Sequence, residues 1–155
     1  MNTQLRNMDV YPVGGRPGRL MTTLEELTRL PENPVGGRAG LTIGRIVRAI
    51  NAQVEAVEEE RQRLVDVYGV RDEDGNLLRD GEGVTQVKPQ ADADFLDLLR
   101  QTFEVETLPV SQIRRLDDIP TYIIVGLGDL LYDDVSENGN TEKMPVAQPP
   151  RRKRR

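Results

Sequence analysis

Ligand-type side chains crowd most closely in "RDEDGNLLRDGEG", residues 71–83. Asp72, Asp74, Gly75 and Asn76 have the look of a calcium loop, where oxygen ligands recur every second residue and a glycine makes the sharp turn. With Gly75 at the loop's invariant glycine, Asp72 and Asp74 take two ligand positions. The opening position then falls on Val70, which has no side-chain oxygen. The closing position, which needs a bidentate Glu, falls on Gly81, and Glu82 stands one residue late. Asp-Gly between short flanks is instead a hairpin signal, because glycine takes a positive φ without steric cost. The stretch is expected to form a strand at Val70–Arg71, a turn at Asp72–Asn76 and a strand at Leu77–Leu78, followed by a loop. No metal site is assigned to it.

Other chemistry is limited by residue types that are missing. The sequence has no His and no Cys. That removes the usual zinc ligands and the Cys–His and Ser–His–Asp nucleophilic arrangements. The two serines, Ser111 and Ser136, lie in no nucleophile-elbow context, and nothing supports a Ser–Lys pair with Lys88 or Lys143. "GLGDLL" (126–131) carries two glycines of a dinucleotide fingerprint, but Leu131 stands where the third is needed and too little chain follows for a βαβ unit. Asp92, Asp94 and Asp97 read as acids favoured by a helix start. No catalytic residue, cofactor or metal is therefore expected, and the chain reads as non-enzymatic. The lack of Cys fits a reducing compartment.

The elements that would position any surface follow from periodicity. Residues 1–21 are rich in Gly and Pro and are expected to form an extended arm without regular structure. "TTLEELTRLP" offers capping boxes at Thr22/Glu25 and Thr23/Glu26, with Leu20, Leu24, Leu27 and Leu30 on one face. "PVGGRPG" (12–18) returns as "PVGGRAG" (34–40). Each copy reads as a flexible lead-in, or else as a loop that wraps a neighbour or cradles an anion. The strongest element is a helix over 41–68. Ile43, Val47, Ile50, Val54, Val57, Leu64 and Tyr68 recur at spacings of four and three over roughly 40 Å, with Arg61 the one polar interruption. This stripe packs on its own domain, or is shared with a partner or a second copy.

Farther along, Asp92 is expected to cap a helix whose Phe95, Leu98 and Leu99, with Phe103 beyond, form a core face. A strand at 105–110 follows. "TYIIVGLGDLLYDD" reads as a buried strand or, preferably, a helix over about 120–132 that Gly126 and Gly128 weaken. The fold class expected is α+β: one long amphipathic helix, two or three short helices, a small hairpin and disordered ends, with the domain spanning 22–132.

Residues 133–155 have the composition of a disordered tail and end in Arg151, Arg152, Lys153, Arg154 and Arg155. Without these five the basic count falls from 21 to 16 against 26 acidic residues, so the body carries a net charge of −10. Such a body repels nucleic acid, whereas the tail allows weak, salt-sensitive and sequence-independent contact with phosphates. No stretch approaches the roughly 20 apolar residues of a membrane span, and no signal peptide is expected.

One resemblance emerges from the order of these features. The long helix ends in Arg-x-x-Leu-x-x-x-Tyr-Gly (Arg61, Leu64, Tyr68, Gly69). An acidic Asp-x-x-Gly turn follows (Asp72–Gly75), then a helix led by Phe95 and a strand with Glu104 and Glu106. Over roughly residues 24–132 this resembles a group of small tailed-bacteriophage proteins of uncharacterised function. The resemblance implies a protein of particle assembly or a minor virion component, acting through contacts with other phage proteins or with itself, in the host cytoplasm or the virion. The alternative is a phage regulatory or DNA-associated protein using Arg151–Arg155.

Overall fold

The computed structural model describes residues 1–135. The fold is α+β, and its dominant element is a 33-residue helix, α3 (Gly36–Tyr68), about 50 Å long. Before it come a strand, β1 (Asn2–Arg6), a single helical turn, α1 (Asn7–Val10), and a helix, α2 (Arg19–Thr28). After it come α4 (Pro89–Arg100), β2 (Thr102–Glu106), β3 (Leu108–Pro109), α5 (Thr121–Leu127) and β4 (Leu131–Tyr132). β1 pairs antiparallel with β2 across a hundred residues of chain, in the register Thr3↔Val105 and Leu5↔Phe103. β3 and β4 form a short parallel pair.

The stripe on α3 organises the interior. Ile43, Ile46 and Ile50 are buried in the main core with Leu20, Leu24 and Leu27 of α2, Val105 of β2, Leu108 of β3, and Ile123 and Leu127 of α5. Farther along the helix Val57 and Leu64 are also buried, where α4 lies against α3. Between α3 and β2, Arg45 grips Glu106 with two bonds of 2.8 and 2.9 Å. These bonds hold the Glu106 carboxyl below its usual range.

The first 18 residues depart from the expected extended arm. Their Gly and Pro content conceals β1 and α1, which contribute Leu5, Asn7 and Val10 to the buried interior. The two copies of the glycine repeat also diverge. In the first, Gly14 and Gly15 have positive φ and the backbones of Val13 and Arg16 bond each other in a tight turn. The second enters α3 at Gly36. The sequences differ only at Pro17 and Ala39. A proline disfavours helix in the residue before it, whereas Ala39 is fully buried on α3. Thus α3 starts five residues before the expected residue 41.

Other boundaries shift for local reasons. α2 begins at Arg19, so Thr22 and Thr23 sit inside it and donate their hydroxyls to the Gly18 and Arg19 carbonyls instead of capping. Gly18 must be glycine: a Cβ there would lie 2.4 Å from the Val10 carbonyl oxygen. α4 starts at Pro89, which suits the first helical position, so Asp92 lies within its first turn. Of the expected core face on α4, Phe95, Leu98 and Leu99 are only half-buried. α5 ends at Leu127 because Gly128 (φ 50°, ψ −127°) leaves the helical region, and Leu131 and Tyr132 join β3 as a strand.

The helix α3 tolerates an avoidable cost. Gly40 is exposed in its first third, and a Cβ there meets nothing within 4 Å. Gly40→Ala is expected to stabilise the fold by about 0.5–1 kcal/mol, read as a rise in thermal midpoint.

Candidate interaction surface

The acidic segment after α3 is more regular than a single hairpin. Three short pieces centred on Val70, Leu78 and Gln86 close into a ring of backbone bonds. The Leu78 N–H donates to Val70 O (2.8 Å), Gln86 N–H to Leu78 O (2.9 Å) and Val70 N–H to Gln86 O (2.9 Å). Two turns of the same kind join them. Asp72 Oδ1 accepts from the amides of Asp74 and Asn76, and Asp80 Oδ1 accepts from those of Glu82 and Val84. Gly75 and Gly83 take φ of 84° and 80°. The expected turn at Asp72–Asn76 is present, with Arg71 bridged to Leu77. The residues expected to be loop form its second copy, for which the signal was "RDEDG" returning eight residues later as "RDGEG".

This ring, the distal half of α3 and α4 enclose an open groove of about 450 Å³. Leu64, Val84, Val87, Ala91 and Phe95 supply apolar lining, and Arg61, Arg79 and Asp92 its charge. Around the same end of the molecule Val67, Leu78, Val84 and Leu96 are exposed.

Behind the groove lies the most connected polar cluster. Glu58 accepts from Arg61 Nε (2.9 Å) and Nη2 (2.6 Å), from the Tyr11 hydroxyl (2.5 Å) and from Gln62. The Tyr11 ring meets Phe95 edge-on at 5.7 Å. The Arg61 bonds first, then Tyr11, hold the Glu58 carboxyl down at about 2. Burial and the Glu58 contact push the Tyr11 phenol up. At neutral pH the cluster is therefore a fixed carboxylate, a guanidinium and a neutral phenol, and it has no group poised to exchange a proton. Its place is structural, tying the segment after α1 to α3.

Asn7 was not singled out by sequence pattern, yet it is the most buried polar residue of the N-terminal segment. Its backbone N–H donates to Gln101 O (2.9 Å), its Nδ2 to Leu98 O (2.8 Å), and its Oδ1 accepts from Gln53 (2.9 Å). No periodicity marks such a residue.

The stripe residues are largely taken up by the chain itself. Ile43, Ile50, Val57 and Leu64 are buried, while Val47, Val54 and Tyr68 are half-buried. Any contact made by α3 with another molecule must use its remaining faces. The Ser111 hydroxyl donates to Asp134, not to a lysine. Ser136, Lys143 and the basic cluster Arg151, Arg152, Lys153, Arg154 and Arg155 lie outside the described residues. Asp92, Asp94 and Asp97 are spread over the first nine residues of α4. Among the described residues no group of acidic side chains could hold a metal ion, and no helix is long and apolar enough to cross a membrane.

Comparison with protein-family models, with curated proteins and with solved structures finds no match.

The depressed Glu58 carboxyl makes a pH-dependent prediction. Its contribution to stability is present above the ordinary carboxylate pKa and is lost as pH falls towards about 2. Glu58→Gln is expected to be less stable than the parent at pH 7, with the gap in denaturation midpoint narrowing as the pH is lowered from about 5 to about 2. A gap independent of pH would show that the Glu58 charge is not what stabilises the cluster.

Proposed function

We propose that the chain is a non-enzymatic tailed-phage protein that acts in particle assembly, or as a minor virion component, through protein–protein contacts. The observation that carries this reading is the apolar surface left at the distal end of the molecule. Val67, Leu78, Val84 and Leu96 stay exposed around a half-apolar groove, on an otherwise highly charged chain. Desolvating such residues against a partner is favourable at roughly 25 cal/mol per Å². The resemblance of residues 24–132 to small phage proteins, and the absence of His and Cys, support the same reading. Partners would be other phage proteins or a second copy, met in the host cytoplasm or the virion. Mass spectrometry of purified particles and of assembly intermediates from a phage encoding this chain is expected to detect it. Absence from both would count against the reading.

A second reading rests on the five basic residues that end an otherwise acidic sequence. In it, Arg151–Arg155 bind nucleic-acid phosphates. Such binding would weaken with salt at a log–log slope of about −4.5 and would vanish when residues 151–155 are deleted. Fluorescence anisotropy with duplex DNA measures both, and no affinity at low salt would sink this reading.

A further inference from the structure

Among the described residues, the strand β1 leaves one edge open. In an antiparallel pair only alternate residues exchange backbone bonds with the partner. The bonds from Asn7 N–H to Gln101 O and from Thr107 N–H to Met1 O fix the phase. Thr3 and Leu5 therefore bond β2, and the backbones of Asn2, Gln4 and Arg6 face away from it. The Arg6 N–H is taken by Asp9 at 3.3 Å. Among the described residues, no side chain or other segment bonds the backbone of Asn2 or Gln4. Open edges are commonly guarded by charged side chains, proline or a bulge; "NTQLR" has only Arg6 at its end, and that charge is paired with Asp9. On the Leu5 face of this edge lies a second groove of about 450 Å³, with Leu5, Met8, Leu20, Val125 and Leu127 as its apolar lining and Asp9 and Arg19 as its charged lining. Met8 is 40% and Val125 66% exposed.

We propose that β1 pairs antiparallel with β1 of a second copy about a two-fold axis at Gln4, joining the two small sheets into one of four strands. The occupant is a second copy because the edge is complementary to itself. The outward residues are symmetric about Gln4, so setting Gln4 against its counterpart puts Asn2 of each copy opposite Arg6 of the other. The Gln4 backbones exchange both their bonds, and each Asn2 N–H reaches the Arg6 carbonyl of the other copy, leaving the Arg6 N–H with Asp9. Charge agrees with this register. Each Arg6, its guanidinium already paired with Asp9 (3.0 and 3.1 Å), meets a neutral Asn2 that donates to Glu104 (2.8 Å), so the register buries no unpaired charge. No like charges stand opposite. On the other face, Thr3 of each copy lies beside Leu5 of its mate, over this groove. Such an isologous contact is closed, which leaves no open edge on that side to propagate. The pairing goes beyond the assembly reading and does not depend on it.

Sedimentation of the full chain over a concentration series tests the pairing. The expected result is a reversible dimer of the 17.4 kDa chain. Gln4→Pro removes an outward N–H and none that faces β2. Gln4→Lys sets two ammonium groups opposite each other across the axis, while in its own sheet it stands beside Glu104, which supports the fold. Each substitution is expected to weaken the dimer by about tenfold or more, with the thermal midpoint of the monomer followed by circular dichroism. If Gln4→Pro lowers that midpoint, Gln4→Lys decides. A monomer at every concentration, or a dimer indifferent to Gln4→Lys, would overturn the pairing and leave the assembly reading to the particle experiment.

Discussion

An apolar stripe along a 33-residue helix has to be covered, and nearly every other element of this protein serves that need. A helix of this length is marginal alone, because most helical stability in proteins comes from packing of the apolar face. The cover for α3 arrives in two parts. Near its start, α2, the β1–β2 sheet, β3 and α5 enclose Ile43, Ile46 and Ile50. Near its end, Val57 and Leu64 are buried where α4 returns along the helix. The first part is a dense core. The second is thinner, since the large side chains of α4 stay half-buried and a groove remains between helix and ring.

Polar joints hold these two parts in register. Asn7 is the most important, because one buried residue bonds α3, α4 and the residue before β2 at once. A buried amide with its partners in place rigidifies its surroundings, and the same amide without them would cost about 1–3 kcal/mol. Arg45 with Glu106 and Tyr11 with Glu58 do similar work nearer the surface. The remaining ion pairs, such as Arg63 with Glu60, are mostly local to one helix and exposed, and contribute little.

The ring after α3 shows how local chemistry can build a small unit without a core of its own. Its side chains are mostly exposed or half-buried, and its order comes from backbone bonds, aspartate-capped turns and two positive-φ glycines. Asp72, which first looked like a metal ligand, is employed there as a turn former. That leaves the ring free to display Leu78 and Val84 at the end of the molecule, where the proposed partner contact is placed.

What the sequence by itself determined is local. Spacings of three and four marked α3 and the apolar face of α2, and Asp-Gly marked the first turn of the ring. These patterns depend on residues within a turn or two of each other, so they survive without tertiary context. The tertiary structure decided the rest. Gly and Pro in residues 1–18 hid β1, because a strand whose partner lies a hundred residues away is stabilised by that partner and not by its neighbours. The glycine repeat took two conformations because Ala39 found a buried site on α3 while Pro17 could not. Asn7 carries no pattern at all, and its role exists only where three separate segments meet. Whether the stripe faced a partner or its own chain was likewise beyond local reading, because burial is a property of what packs against a residue: here Ile43, Ile50, Val57 and Leu64 were claimed from within.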